Sequence, residues 1–284
     1  MAQTKQQIQA LLAAISARPS HRLGQNFMID GNLLRLVAEA AQVSSGEMVI
    51  EVGPGTGSLT EELLARGANV VAVEIDHHLV DLLRERLGSQ SGFKLIEGDA
   101  LSGKHALNEA LAAEIIAAKQ AGRKIKLAAN LPYHVASPLI IDLLLAGVEL
   151  LAFTVQKEVA ERLAAGAASE AYGALSVMTQ MLSRVEILRT LPPQAFWPMP
   201  KVHSALVRLS RQDQLGERAA EFSRFVHSVF SYRRKTLRKA MSEAGISGGQ
   251  AIEKLGLAPT MRPEEVTPAQ WLKLFDAIER PKGA

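Results

Sequence analysis

Two short stretches of this chain have the residue types and spacing to do chemistry together: Asn130-Leu131-Pro132-Tyr133 and, upstream of it, Glu51-Val52-Gly53-Pro54-Gly55-Thr56-Gly57. An Asn side-chain oxygen and the backbone carbonyl that follows it, stiffened by Pro132, form a pair of acceptors suited to the two hydrogens of an exocyclic amine on a nucleobase. The N6 of adenine is such an amine, and it is a poor nucleophile because its lone pair is delocalised into the ring. Acceptors on both hydrogens shift it toward a tetrahedral, nucleophilic geometry. Tyr133 would offer its ring face to the base. Taken alone, the tetrapeptide also fits a plain turn carrying a packed aromatic.

The glycine segment supplies the complementary half. A dinucleotide fold asks for G-x-G-x-x-G, whereas Gly53, Gly55 and Gly57 alternate and Ser58 follows. Alternating glycines between a strand and a helix let the backbone approach a ligand closely, with helix-terminal N–H groups facing its carboxylate. S-adenosylmethionine, which ends in an amino acid, fits that description. A glycine-rich turn that binds nothing is the competing reading. Glu74, at the end of the next apolar run, is placed to accept both ribose hydroxyls of such a donor. Asp99, in Gly98-Asp99-Ala100 after the following run, is placed to accept from its adenine amine. Singly, either acid reads equally as a helix cap or loop residue. Methyl transfer would be an in-line displacement driven by orientation and by polarising the amine. It needs no general base, so His134 reads as a bystander.

The elements that must position these residues follow from periodicity. Apolar runs at 48–52, 70–74, 93–96, 125–130 and 150–156 predict strands, separated by amphipathic stretches that predict helices over 59–66, 76–87, 137–145, 157–165 and 173–182. That alternation implies a parallel sheet with helices on both faces. Runs at 184–189 and 204–209 predict further strands closing one sheet edge, joined by a proline-rich extended loop at 192–200. Beyond residue 212 only helical patterns remain. Two domains are expected, 1–211 with 1–20 as an N-terminal extension, and a small all-α domain over 212–284.

At 284 residues and 48% hydrophobic side chains the chain can bury a large core. It has no cysteine, which excludes disulfides and thiolate metal sites and fits a reducing compartment. The first twenty residues show no secretory pattern, and Asp142 and Glu149 break the longest apolar stretch, so a cytoplasmic protein with no membrane span is expected. The net charge is +3, but from residue 206 onward there are 14 Lys and Arg against 9 Asp and Glu, leaving the rest net negative. A basic C-terminal end draws polyanions such as nucleic acid, although a solvated helical surface would read alike. Arg233, Arg234, Lys235 and Arg238 are expected on one helix, with Arg234 and Arg238 on a shared face toward RNA phosphates. Lys201 and Arg208 are weaker candidates. Phe196 and Trp197 read as packing between the domains.

On these segments the chain resembles the rRNA adenine N6-dimethyltransferase family, the group that includes bacterial 16S rRNA dimethyladenosine transferases. The likeness runs from His21-Arg22-Leu23-Gly24-Gln25-Asn26-Phe27 through the motifs above to Gln156-Lys157-Glu158-Val159, the loop at 192–204 and Arg233-Arg234-Lys235-Thr236-Leu237. It implies a Rossmann-like α/β methyltransferase sheet with a small helical C-terminal domain and S-adenosylmethionine as donor, with no metal. The implied donor site is Asn26, Met28, Gly53, Gly55, Glu74, Asp99 and Asn130, and the implied acceptor site is Asn130, Leu131, Pro132 and Tyr133. The implied partner is 16S rRNA in the assembling small subunit, acted on by a monomer. Two features depart from the family: His134-Val135-Ala136-Ser137 loses two polar groups near the acceptor, and 103–122 reads as an added surface helix. A large-subunit rRNA methylase and a mainly non-catalytic assembly factor are the alternative readings.

Overall fold

The computed structural model describes residues 3–103, 106–133 and 135–279. In chain order the elements are α1 (Lys5–Ala14), β1 (Phe27–Met28), α2 (Gly31–Ala40), β2 (Met48–Val52), α3 (Ser58–Ala65), β3 (Asn69–Glu74), α4 (His77–Leu87), β4 (Phe93–Glu97) and α5 (Glu109–Gln120). They continue with β5 (Ile125–Asn130), α6 (Ala136–Leu145), β6 (Leu150–Gln156), α7 (Lys157–Ala164), α8 (Ala174–Leu182), β7 (Ser183–Leu191), β8 (Phe196–Trp197) and β9 (Ser204–Arg211). The last helices are α9 (Ala219–Phe230), α10 (Leu237–Glu243), α11 (Gly249–Lys254) and α12 (Pro268–Glu279). The chain divides into two compact units, one built from the chain up to Ala160 together with Glu186–Arg211, the other from Glu161–Val185 and the chain from Gln212 on. The expected boundary at 211/212 coincides with the end of the first unit, and the second unit also takes in residues 161–185.

In the first unit seven strands form one sheet in the order β4-β3-β2-β5-β6-β9-β7, parallel from β4 to β6, with β9 antiparallel to β6. Alternate side chains explain why the parallel strands read as continuous apolar runs. Val49, Val70, Ala72, Ala128 and Ala152 pack with Leu33, Leu34, Val37 and Ala38 of α2 and with Leu59 and Leu63 of α3. The intervening Ile50, Val71, Leu127 and Leu151 are equally buried on the other face. Both faces of the sheet are thereby removed from water. After β4 the chain must return past β3 and β2 to reach β5, and α5 makes that return. Leu111, Ile115 and Ala118 are buried on it, and it packs against β3 and β5. The helix expected as a surface insertion is therefore part of the core: an alanine-rich sequence with three buried positions shows little amphipathic contrast, which concealed its inner face.

The second unit is helical around an aromatic cluster. Phe222 and Phe225 meet Phe275, Phe225 and Phe230 meet Trp271, and Phe230 meets the edge of Tyr172, at centroid separations of 5.4–6.2 Å. Tyr172 is anchored by its hydroxyl, which donates to the Val266 carbonyl at 2.7 Å. The basic run expected on a helix is not helical. Residues 231–235 form turns between α9 and α10, with Arg233 N bonded to Phe230 O and Lys235 N to Tyr232 O. Thr236 caps α10, so Arg234 and Arg238 do not share a helical face. Helical charge spacing could not reveal the break, because no Gly or Pro marks it.

Candidate active site

Strand order sets where a ligand can bind. From β2 the chain proceeds outward through β3 and β4 and then resumes on the other side of β2 with β5, which opens a crevice at the carboxyl ends of β2 and β5. An open cleft of about 930 Å³, solvent at its mouth included, lies there. Its walls come from the carboxyl ends of four parallel strands and the loops that follow them: 51–56 at the end of β2, Glu74-Ile75 at the end of β3, Gly98-Asp99-Ala100 after β4, and Asn130 and Pro132 at the end of β5. All seven residues read as donor-binding, Asn26, Met28, Gly53, Gly55, Glu74, Asp99 and Asn130, line this one cleft.

The glycine loop is built around positive φ angles, +71° at Gly53 and +61° at Gly55. Both positions are also crowded. A Cβ on Gly55 would lie 3.0 Å from the Phe27 ring, and one on Gly53 would lie 3.3 Å from Pro132 Cγ. The second approach matters most for chemistry, because it sets Pro132 of the Asn130-to-Tyr133 turn so near the loop after β2 that a side chain at Gly53 would crowd it. Phe27 is held in place by stacking on Trp197 at 6.2 Å and by the β1–β8 pairing. Phe196 lies in the core beneath the sheet's α2 face. The two aromatics expected to pack between domains thus fix the cleft wall of the first unit.

Carboxylates in the cleft are held tightly. Glu74 Oε1 accepts from the Ile75 and Asp76 N–H groups at 3.0 Å each, and Oε2 accepts from Gly55 N–H at 3.2 Å. Burial pushes this carboxyl up to about 7 despite those hydrogen bonds. Glu51 accepts from Thr60 Oγ1 at 2.6 Å, and burial, with the neighbouring Glu74 charge adding to it, pushes it up to about 8. Asp99 Oδ1 accepts from Leu101 N–H at 3.0 Å, leaving its second oxygen for the cleft. Ser58 was missed by sequence reading. The residue lines the cleft at the N-terminus of α3, and its hydroxyl is buried and, among the described residues, has no partner. An anionic carboxylate at that helix end would satisfy it, so the cradle fits the amino-acid end of S-adenosylmethionine.

The acceptor side is equally specific. Asn130 Nδ2 donates to the Asn26 carbonyl at 2.7 Å, and Asn130 Oδ1 accepts from the Thr154 hydroxyl. A backbone carbonyl can only accept, so this pairing fixes which way the amide points. Thr154 is fully buried and directly opposite Asn130 in the β5–β6 register. It too was missed, and its signal was a lone hydroxyl in the apolar run 150–156. The side chain of Asn26 turns back to its own loop, donating to the Gly24 carbonyl at 3.0 Å. Leu131 and Tyr133 do not line the donor cleft. The Leu131 side chain is buried, and its N–H donates to Thr154 O at 3.2 Å. Tyr133 is half-buried with its hydroxyl 2.9 Å from Ser204 Oγ. Burial raises its phenol above the ordinary value, partly offset by that hydrogen bond. His134 lies outside the described residues.

In the second unit Arg233 pairs with Glu264 at 3.4 Å and Arg238 with Glu253 at 2.6 Å. Arg234 and Lys235 are exposed and, among the described residues, have no side-chain partner. Arg208 is engaged by Glu186 at 3.0 Å in the first unit. Among the described residues no group of His, Asp or Glu is placed to hold a metal ion, and no helix is long and apolar enough to cross a membrane.

A parallel sheet with this switch-point cleft, alternating glycines and an acid after the next strand defines a Rossmann-like S-adenosylmethionine-dependent methyltransferase. Comparison with known proteins narrows the class. The chain belongs to the ribosomal RNA adenine dimethylase family, whose sequence model matches residues 17–280. It is 42% identical over 280 residues to a protein named ribosomal RNA small subunit methyltransferase A from Anaeromyxobacter dehalogenans, covering 95% of this chain and 96% of that one. A protein of the same name from Clostridium perfringens is 38% identical over 278 residues, covering 95% and 94%. Among solved structures, the 23S rRNA methyltransferase ErmE matches with a TM-score of 0.64 at 26% identity, covering 90% of this chain and all of the other. A dimethyladenosine transferase from Plasmodium falciparum shares the fold, with a TM-score of 0.69 at 22% identity and coverage of 88% and 96%. The protein is an S-adenosylmethionine-dependent rRNA methyltransferase.

Proposed function

We propose that this enzyme dimethylates N6 of two adjacent adenosines in the loop of the 3′-terminal hairpin of 16S rRNA, acting as a cytoplasmic monomer on the assembling small subunit. The observation that carries the reading is the close approach of Pro132 to Gly53, which supports an amine-gripping turn at the edge of a donor cradle. The relatives named small subunit methyltransferase A, at 38–42% identity over nearly the whole chain, support the choice of subunit.

S-adenosylmethionine, when bound, supplies an electrophilic methyl on its sulfonium. The chain's own residues do the rest. Glu74 accepts from the ribose, Asp99 from the adenine amine, and Ser58 with the α3 N-terminus receives the carboxylate. Asn130 Oδ1, oriented by Thr154 and the Asn26 carbonyl, accepts one hydrogen of the target N6, and the Leu131 carbonyl, fixed by Pro132, accepts the other. Tyr133 stacks on the everted base. Once methylated, the nitrogen is strongly acidic and releases its proton to a carbonyl or to water, so no general base is needed. Arg234 and Lys235, with Arg233 and Arg238 beside them, hold RNA phosphates and set position without choosing sequence.

Likeness to ErmE gives a second outcome specific content: a large-subunit target. Labelled donor incubated with undermethylated small subunits and, separately, with naked large-subunit RNA decides between them. Four methyl groups per small subunit, all on two adjacent adenosines, is the expected result. Incorporation into large-subunit RNA alone overturns the proposal.

A further inference from the structure

The segment joining α1 to β1 carries Arg18, His21 and Arg22, and no step above uses them. It is a closed turn. Gln25 N–H donates to Ser20 O at 3.2 Å and Gly24 N–H to His21 O at 3.1 Å. Ser20 N–H donates to Gln25 Oε1 at 2.8 Å, and Leu23 N–H to Ser20 Oγ at 3.3 Å. Gln25 Nε2 then donates to Asp76 Oδ2 at 2.7 Å, tying the turn to the start of α4. Leu23, Gly24, Gln25 and Asn26 line the donor cleft, so the turn is the lip of that cleft.

His21 and Arg22 in this turn, and Arg18 two residues before it, are exposed, and among the described residues they have no hydrogen-bond or ion-pair partner. Among the described residues the one acid bonded to the turn, Asp76, is occupied by Gln25 and by the His78 N–H. Nor does the local sequence offer compensation: residues 1–29 contain Lys5, Arg18 and Arg22 and no Asp or Glu. Everything before residue 206 is net negative, so this is a basic ridge on an otherwise acid-leaning stretch. Unpaired arginines in and just before a hydrogen-bonded turn at a pocket mouth are placed for an anion that arrives with the pocket's occupant.

A nucleotide turned out of its stack leaves its own 5′ and 3′ phosphates at the mouth of the pocket that takes its base. We infer that the Arg18–Arg22 turn is a second RNA contact, in which the two guanidinium groups hold the backbone phosphates flanking the everted adenosine. The inference rests on the proposed function. The turn belongs to the first unit and borders the donor cleft itself.

The test is binding of the Arg18→Gln/Arg22→Gln double variant to undermethylated small subunits between 50 and 200 mM monovalent salt, alongside donor affinity and turnover at saturating subunit. Losing two phosphate contacts to single-stranded RNA lowers the slope of log affinity against log salt by about 1.4, so across that fourfold range the variant loses about sevenfold less affinity than wild type. Donor affinity and saturated turnover stay at wild-type values, and Arg18→Lys/Arg22→Lys keeps the wild-type slope. A wild-type slope in the Gln variant overturns the inference. So does a weakened donor affinity, which would make the turn a donor wall only. If wild-type enzyme fails to methylate small subunits at all, the functional reading falls and takes this inference with it.

Discussion

Thr154 offers a demanding test of the acceptor site because it touches the chemistry only through another residue. Thr154→Val keeps the shape of a fully buried side chain and deletes one hydroxyl. The single functional bond lost is the one to Asn130 Oδ1. The amide's other tether, Nδ2 to the Asn26 carbonyl, is untouched. One such bond contributes about 1 kcal/mol, and if that energy holds the amide in its reacting geometry, kcat falls about fivefold. Removing the acceptor itself with Asn130→Ala costs about a hundredfold or more. The assay is single-turnover methyl transfer from labelled donor at saturating RNA substrate, with donor affinity measured separately by calorimetry and expected to change little. The decisive comparison is the double variant. In an Asn130→Ala background, Thr154→Val has nothing left to orient and should add no further loss. A full fivefold loss in that background would show that Thr154 acts through strand packing. Wild-type turnover in the single variant would show that the amide needs no such support.

Tyr133→Ala should cut turnover by about tenfold to a hundredfold with donor affinity intact, since a base–aromatic stack is worth about 1–3 kcal/mol, while Tyr133→Phe, which loses only the Ser204 bond, should cost less than tenfold. Equal losses in the two would assign the work to the hydroxyl. Gly55→Ala combines a φ of +61° with a Cβ 3.0 Å from the Phe27 ring, and should weaken donor binding by about tenfold or more, with turnover recovering at high donor concentration. Failure to recover would place the defect in the acceptor turn. Glu51 bears on stability. In the donor-free protein its carboxyl is raised to about 8, so the folded state keeps a proton that the unfolded state releases. Its stabilising contribution is full below the unfolded value near 4.5 and is lost as pH rises toward 8. Glu51→Gln should therefore gain melting temperature relative to wild type between pH 5 and about 8 and level off above it. A constant difference across that range would refute the shift.

Much of the scaffold was legible because parallel strands announce themselves locally. The runs at 48–52, 125–130 and 150–156 match β2, β5 and β6 residue for residue, since burial on both faces forces unbroken apolar sequence. Five of the residues read as donor-binding, Gly53, Gly55, Glu74, Asp99 and Asn130, stand at or just after the ends of readable strands, whereas Asn26 and Met28 rested on the family resemblance. What escaped the sequence depends on contacts between distant segments. β1 and β8 are two residues each and pair Phe27 with Trp197, and a two-residue strand has no periodicity to read. Thr154 and Ser58 matter only through what they face. The turn at 231–235 interrupts a sequence whose charges and helix-formers run straight through it, so spacing arguments placed Arg234 and Arg238 on a face that does not exist. Tyr133 was read in the turn after β5, but its seat against Ser204, outside the residues that line the donor cleft, depended on the β6–β9 pairing.

The Thr154 hydroxyl already occupies one of the two lone pairs on Asn130 Oδ1, so that oxygen can accept one hydrogen more and no second. In the proposed reaction an unmodified adenosine presents two hydrogens and saturates both the amide and the main-chain oxygen. The monomethylated product presents one, and its new methyl must take up the space beside whichever oxygen is left idle. The first and second transfers at a given base are thus different reactions run in the same pocket. The second proceeds with half the grip, and the intermediate that would accumulate if the site were loosened is the singly methylated adenosine.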